Sequence, residues 1–132
     1  MKITRIDRSQ AKHDPTRSNY FAGEVSIQSL VGAAESSELE LLNVYFSAGG
    51  RTIPHIHEQD QVLQIIEGHG IVATETEKSM VSAGDVVTIS AGTWHWHGAT
   101  QHHAMAHISI MKRGKTNWTV EEKNWAEGYE GS

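Results

Sequence analysis

The sequence predicts an all-β domain, on three observations. Its apolar stretches are short, 5–8 residues. They are punctuated by glycine at nearly regular intervals, at Gly49-Gly50, Gly68, Ala83-Gly84-Asp85 and Ala91-Gly92. No central segment carries the 3.6-residue apolar period of a helix. Residues 1–20 are polar and mixed in charge (Lys2, Arg5, Arg8, Lys12, Arg17) and contain Pro15, so they read as an arm with a short strand over 3–6. The domain proper is residues 21–132, with strands expected over 24–30, 39–46, 51–57, 61–67, 70–76, 86–90 and 104–111. This spacing fits a sandwich or barrel rather than βαβ units. The exception is the C-terminus. Thr119-Val120-Glu121-Glu122 has the form of a capping box, predicting a short helix over 120–127 packed on the barrel through Trp118 and Trp125.

Composition narrows the function classes. The chain has 132 residues, 11 basic and 16 acidic side chains for a net charge of −5, no cysteine and nine histidines. Without cysteine, disulfide scaffolds, Cys-ligated zinc, iron–sulfur clusters and thiol nucleophiles are excluded. The acidic balance, with no Lys/Arg cluster, argues against a nucleic acid partner. No apolar run approaches the ~20 residues of a membrane span. The opening MKITRIDRSQ lacks the apolar run of a signal peptide, so a cytoplasmic protein with a small-molecule partner is expected.

The histidines carry the chemistry. On a strand, residues i and i+2 share a face about 7 Å apart, so His55 and His57 can converge on one ion while Ile56 faces the opposite layer. Gln61 keeps the same parity. Glu58 and Asp60 do not, although a turn there leaves a carboxylate as a competing ligand. His95 and His97 share one face, with Trp94 and Trp96 on the other. His107 faces the same way as Met105 and Ser109, opposite Ala106, Ile108 and Ile110. Leu63, Ile65, Tyr45 and Met105 are expected as inward pocket walls. His13, His69, His102 and His103 sit in the arm or beside turns and read as peripheral.

Gly49-x5-His55-x-His57-x3-Gln61-x6-Gly68 resembles the first motif of the cupin superfamily, with Gln61 at the usual Glu position. Gly84-x5-Ser90-x-Gly92-x2-His95 resembles the second, with Ser90 in place of Pro and Ala99 in place of the terminal Asn. The two motifs span 49–68 and 84–99, and the resemblance implies a jelly-roll barrel (a double-stranded β-helix). More narrowly, residues 84–100 and 104–110 resemble the small single-domain cupins related to carboxymuconolactone decarboxylase, which include manganese-dependent bacterial hydroxynitrile lyases. That resemblance implies metal ligands His55, His57, Gln61 and His95, and second-row acid/base candidates His97 and His107. It also implies Mn²⁺ first and Fe²⁺ second, with Zn²⁺, Ni²⁺, Co²⁺ and Cu²⁺ compatible with the same nitrogen and oxygen donors. It further implies a homodimer or homotetramer.

Three imidazoles and an amide leave the ion's +2 charge uncompensated, which favours anions and polarised oxygens. The resemblance implies cleavage or formation of cyanohydrins as the activity. A metal-dependent oxygenase and a non-catalytic small-ligand or metal-binding cupin are the alternatives.

Overall fold

The computed structural model describes residues 1–128; residues 129–132 of the expected domain lie outside it. The described residues form eleven strands: β1 Phe21–Ala22, β2 Val25–Val31, β3 Leu39–Phe46, β4 Arg51–Thr52, β5 Ile56–His57, β6 Gln61–Thr74, β7 Lys78–Ser82, β8 Val86–Ile89, β9 His95–Ala99, β10 Met105–Lys112 and β11 Thr116–Asn117. The all-β expectation and the barrel hold. Among the described residues, no helix is long and apolar enough to cross a membrane.

Barrel closure depends on β6. The local glycine signal at Gly68 suggested a turn between two strands, but a single 14-residue strand runs through it. The first half of β6 pairs with β8 and β10, which continues through β3 to β2. Its second half pairs with β7 and β9, which continues through β4 to β1. The crossing between layers is made where the register against β10 slips, leaving Ile66 as the extra residue, and where Gly68 adopts φ +75°. A side chain at Gly68 would collide with the Ala104 carbonyl. Gly68 is thus a bend within a strand, close to a glycine bulge.

The expected strand over 51–57 is split by Pro54, which cannot donate to a ladder. His55 instead makes a reciprocal backbone bridge to His95, with N–O distances of 3.0 and 3.1 Å. Four strands lie outside the expected ranges, β1, β7, β9 and β11, with β9 carrying His95 and His97.

Both terminal expectations need correction. Residues 3–6 form no strand: Ile3 and Ile6 are three apart and share no strand face, and both are at least half exposed. The arm is instead held extended by Gln28, whose Oε1 accepts from Asp7 N and whose Nε2 donates to Arg5 O. Two 3₁₀ turns follow, Arg8–Gln10 capped by Asp7 and Pro15–Tyr20 capped by Asp14. At the other end the helix over 120–127 shrinks to a 3₁₀ turn at Trp125–Glu127. The Thr119 hydroxyl and amide both donate to Asn117 Oδ1, so Thr119 caps nothing. Glu121 O is taken by Trp94 Nε1, and Lys123 sits at φ +49°, outside helical space.

Between the layers lies an apolar core that includes Val25, Phe46, Leu63, Ile65, Val72 and Met105. A second cluster, Ile71, Ala73, Trp94 and Trp96, lies under Ile56, Val120 and Trp125, so the C-terminal segment covers the outward side of β9. Tyr45 does not face the interior as expected: it receives a hydrogen bond from Asn43 and lies under the Arg8 guanidinium.

Gly68→Ala should destabilise by roughly 2–5 kcal/mol, combining left-handed backbone strain with a backbone clash. Gly84→Ala, also at positive φ but facing open space, should cost only about 1–2 kcal/mol. Urea denaturation of the two variants checks the order; equal losses would remove Gly68 from its place in barrel closure.

Candidate metal centre

Four stretches of chain deliver five histidines and one glutamine to the barrel interior. His55 and His57 come from the segment around β5, Gln61 from the start of β6, His95 and His97 from β9, and His107 from β10. All are buried, none more than 6% exposed. Ring centroids lie 4.3 Å apart for His55–His95, 4.8 Å for His55–His57, 5.2 Å for His57–His95 and 4.8 Å for His97–His107. A cavity of about 590 Å³ opens beside them, lined by His55, His57, Gln61, His97 and His107 on one side. Its other wall is apolar, formed by Ile27, Leu42, Val44 and Phe46 rather than by Leu63, Ile65 and Met105, which are absorbed into the core. Among the described lining residues Glu40 is the only carboxylate. A separate cleft of about 660 Å³ under Arg8 and His13 contains none of the five.

The competing carboxylates are absent from the cluster. Glu58 and Asp60 are exposed, and Asp60 Oδ1 accepts from Ala91 N. His13, His69, His102 and His103 are exposed as well.

Hydrogen bonding fixes which nitrogens face inward. His55 Nδ1 lies 2.8 Å from Ile53 O, and His95 Nδ1 lies 2.9 Å from Thr93 O. A carbonyl only accepts, so both Nδ1 atoms carry the proton and each neutral ring presents a bare Nε2. Gln61 Nε2 donates to Ser109 Oγ at 2.9 Å, which turns Oε1 toward His95 Nε2 at 3.1 Å. Two acceptors then face each other with no proton between them. His57 Nδ1 meets Thr116 Oγ1 at 2.7 Å, while its buried Nε2 has no partner. Converging lone pairs without donors are the arrangement a divalent cation satisfies, so the residues present fit a metal ion. One ring nitrogen each from His55, His95 and His97 lie within 4.8 Å of one another, a group that can hold a metal. His97 is therefore as close to His55 and His95 as a ligand is, a proximity that strand parity did not separate from a second-row place.

The second pair is distinct. His107 Nε2 and His97 Nδ1 share a hydrogen bond of 2.9 Å, leaving His97 Nε2 and His107 Nδ1 buried without partners. Burial depresses every ring in the cluster. His55 and His97 fall well below the usual histidine range through desolvation, reinforced by neighbouring imidazoles. Desolvation lowers His57 as well and carries His95 and His107 down to about 4. All five are neutral at pH 7.

This gives a pH dependence for the metal-free protein. Unfolded histidines protonate near 6.5, whereas His95 and His107 in the folded barrel stay neutral until about 4. Between those values the unfolded chain binds more protons, so stability is full above pH 6.5 and falls as pH drops toward 4. Urea midpoints measured from neutral pH to about pH 4.5 should decline steadily over this window; a flat profile would contradict the buried neutral cluster.

Residues 42–111 match the cupin domain family. Over 114 residues, covering 86% of either chain, the sequence is 33% identical to an (R)-mandelonitrile lyase from Granulicella tundricola. Among solved structures, a cupin-like protein from Thermotoga maritima superposes with a TM-score of 0.78 at 29% identity, covering 87% of this chain and 92% of that one. The polyketide cyclase RemF from Streptomyces resistomycificus superposes at 0.76 with 18% identity, covering 98% and 92%, a likeness of fold alone. With its two-layered barrel, its inward histidines and these matches, the chain belongs to the cupin domain family.

Proposed function

We propose that this cupin is a metal-dependent lyase that splits cyanohydrins into a carbonyl compound and hydrogen cyanide. The observation that carries this reading is the buried His97–His107 pair, which adds a proton-transfer unit beside a separate set of bare Nε2 donors. The (R)-mandelonitrile lyase that is 33% identical supports the same chemistry. His55, His57, Gln61 and His95 would hold the ion, Mn²⁺ in first place and Fe²⁺ in second. A divalent ion there supplies Lewis acidity toward a substrate oxygen, at full charge because no ligand is anionic.

The side chains account for the proton. With its Nδ1–H donated to His107, His97 is neutral and Nε2 keeps the lone pair that accepts a proton in the cavity. It takes the cyanohydrin hydroxyl proton as the carbonyl forms. The bond between the carbinol carbon and the nitrile carbon breaks, and its electron pair leaves with cyanide. The proton on His97 Nε2 then passes to that carbon, giving hydrogen cyanide and restoring the base. The hydrogen bond to His107 spreads the positive charge while His97 is protonated. Ile27, Leu42, Val44 and Phe46 receive the hydrocarbon part of the substrate.

The Mn²⁺-loaded protein should release cyanide and benzaldehyde from mandelonitrile without oxygen. His97→Asn should slow release by roughly 10²–10⁴-fold with metal content unchanged. Loss of metal from His97→Asn would instead make His97 a ligand, and oxygen consumption tied to product would replace the lyase with an oxygenase.

The arm also exposes Met1, Ile3 and Ile6, apolar surface that a second copy would cover in a homodimer or homotetramer. Light scattering should return a multiple of the chain mass; a monomer at all concentrations would remove this part of the reading.

A further inference from the structure

The family match ends at residue 111, yet the chain beyond it reaches back to two of the clustered histidines directly and, through Thr52, to the backbone of a third. Strand β11 pairs with β5 so that Thr116 lies opposite His57, and Thr116 Oγ1 reaches His57 Nδ1 at 2.7 Å. Trp118 stacks on His55, ring centroids 4.2 Å apart and planes within 27°, and also on Tyr20 at 4.1 Å. Further on, Trp125 Nε1 donates to Thr52 O at 2.8 Å, and Thr52 Oγ1 accepts from His97 N at 3.1 Å. Between these points the segment is pinned by Trp94 Nε1 donating to Glu121 O. Among the described residues its regular pieces are the two residues of β11 and one 3₁₀ turn. Val120 and Trp125 also pack on the Trp94–Trp96 cluster, Arg51 lies over the Trp125 ring and Lys123 pairs with Glu75, so side-chain contacts do most of its docking.

We propose that residues 115–125 form a strap that positions the metal centre, with Thr116 the positioning residue for His57 and Trp118 for His55, so that ion occupancy and strap docking favour each other. The proposal rests on the metal-centre reading above. The three imidazoles of that ligand set are not oriented alike. His55 and His95 are locked by backbone carbonyls two residues before them, within their own segments. His57 is oriented by a side chain 59 residues away that belongs to a different segment. A hydroxyl can accept the Nδ1 proton or donate its own, so Thr116 holds the bare Nε2 inward only while it acts as acceptor. If the strap lifts, His57 loses its orienting partner and His55 loses the ring stacked on it. Linkage then works in both directions: a docked strap that strengthens ion binding by some factor is itself favoured by the ion to the same factor.

The test titrates Mn²⁺ alone into metal-free wild type, Thr116→Val and Thr116→Ser, with free Mn²⁺ read by electron paramagnetic resonance. Hydrogen exchange of residues 115–125 is followed with and without Mn²⁺. Removing the hydroxyl should weaken Mn²⁺ binding roughly 10–100-fold, the range for an outer partner of a ligating histidine. Thr116→Ser should restore wild-type affinity, a rescue that a loss of packing at the methyl would not give. In wild type, Mn²⁺ should slow exchange along the strap. Unchanged affinity in Thr116→Val, or strap exchange indifferent to Mn²⁺, would overturn the proposal. The wild-type exchange measurement decides the matter even if Thr116→Val does not fold. Wild type that binds no Mn²⁺ at all would overturn the metal-centre reading and this inference together, an outcome separate from unchanged affinity in the variant.

Discussion

Five neutral imidazoles are enclosed in a barrel with no clustered carboxylate among the described residues to balance them, and much of the structure follows from how they are satisfied. A buried polar atom is costly unless hydrogen-bonded. The chain meets this demand on one side of each ring. Ile53 O, Thr93 O and Thr116 Oγ1 take the Nδ1 atoms of His55, His95 and His57, and His107 takes that of His97. The inward nitrogens of His57 and His97 are left unpaired, and so is Nδ1 of His107. The deficit is concentrated around one cavity, whereas Leu63, Ile65 and Met105 pack an apolar core nearby. Stability withheld at one place and supplied next to it is the pattern of a site rather than of a poor core.

Bringing these rings together is a problem of topology. Their segments are spread from residue 55 to residue 107, so no local element could assemble them. β6 solves this by belonging to both layers. Its first residue, Gln61, sits against the β10 layer, and its second half aligns Val72 with His97 and Thr74 with His95 in the other layer. The bend at Gly68 thus lies between two sets of site residues carried by one strand. The reciprocal His55–His95 backbone bridge ties the remaining segment to the same frame.

Much of this was legible in the sequence because strand parity is a strong constraint. The alternation of His95 and His97 with Trp94 and Trp96 survives in the fold, with tryptophans under the C-terminal segment and histidines inward. Parity fails where both faces are apolar. In Leu39–Phe46 either alternate set reads as interior, so the pattern alone places Tyr45 in the wrong layer. Local signals also fail where a distant partner overrides them. Gly68 looks like a turn until the Ala104 backbone packs against it. The capping box at Thr119 looks like a helix start until Asn117 and Trp94 claim its groups. The positions of Thr116 and Trp118 against the histidines left no trace in spacing, because they depend on where the chain returns after the barrel is closed.

The His97–His107 pair obeys a stricter count than its neighbours. Two neutral imidazoles have two protons and two lone pairs among four nitrogens. Their mutual hydrogen bond uses one of each. What remains for the cavity is one proton and one lone pair, on His97 Nε2 and His107 Nδ1 in one order or the other. If His97 Nε2 holds the lone pair, it can bind an ion with His55 and His95, to which it is close enough, or it can accept a substrate proton, but not both at once. If His107 Nδ1 holds it, His97 presents a donor instead and is excluded as a ligand. His57 Nε2 is bare and buried beside the same two rings, so on the proposed ligand set His97 is left outside it. On the proposed ligand set, the orientation of His57, and so the Thr116 hydroxyl that holds it, would leave the pair free to move a proton.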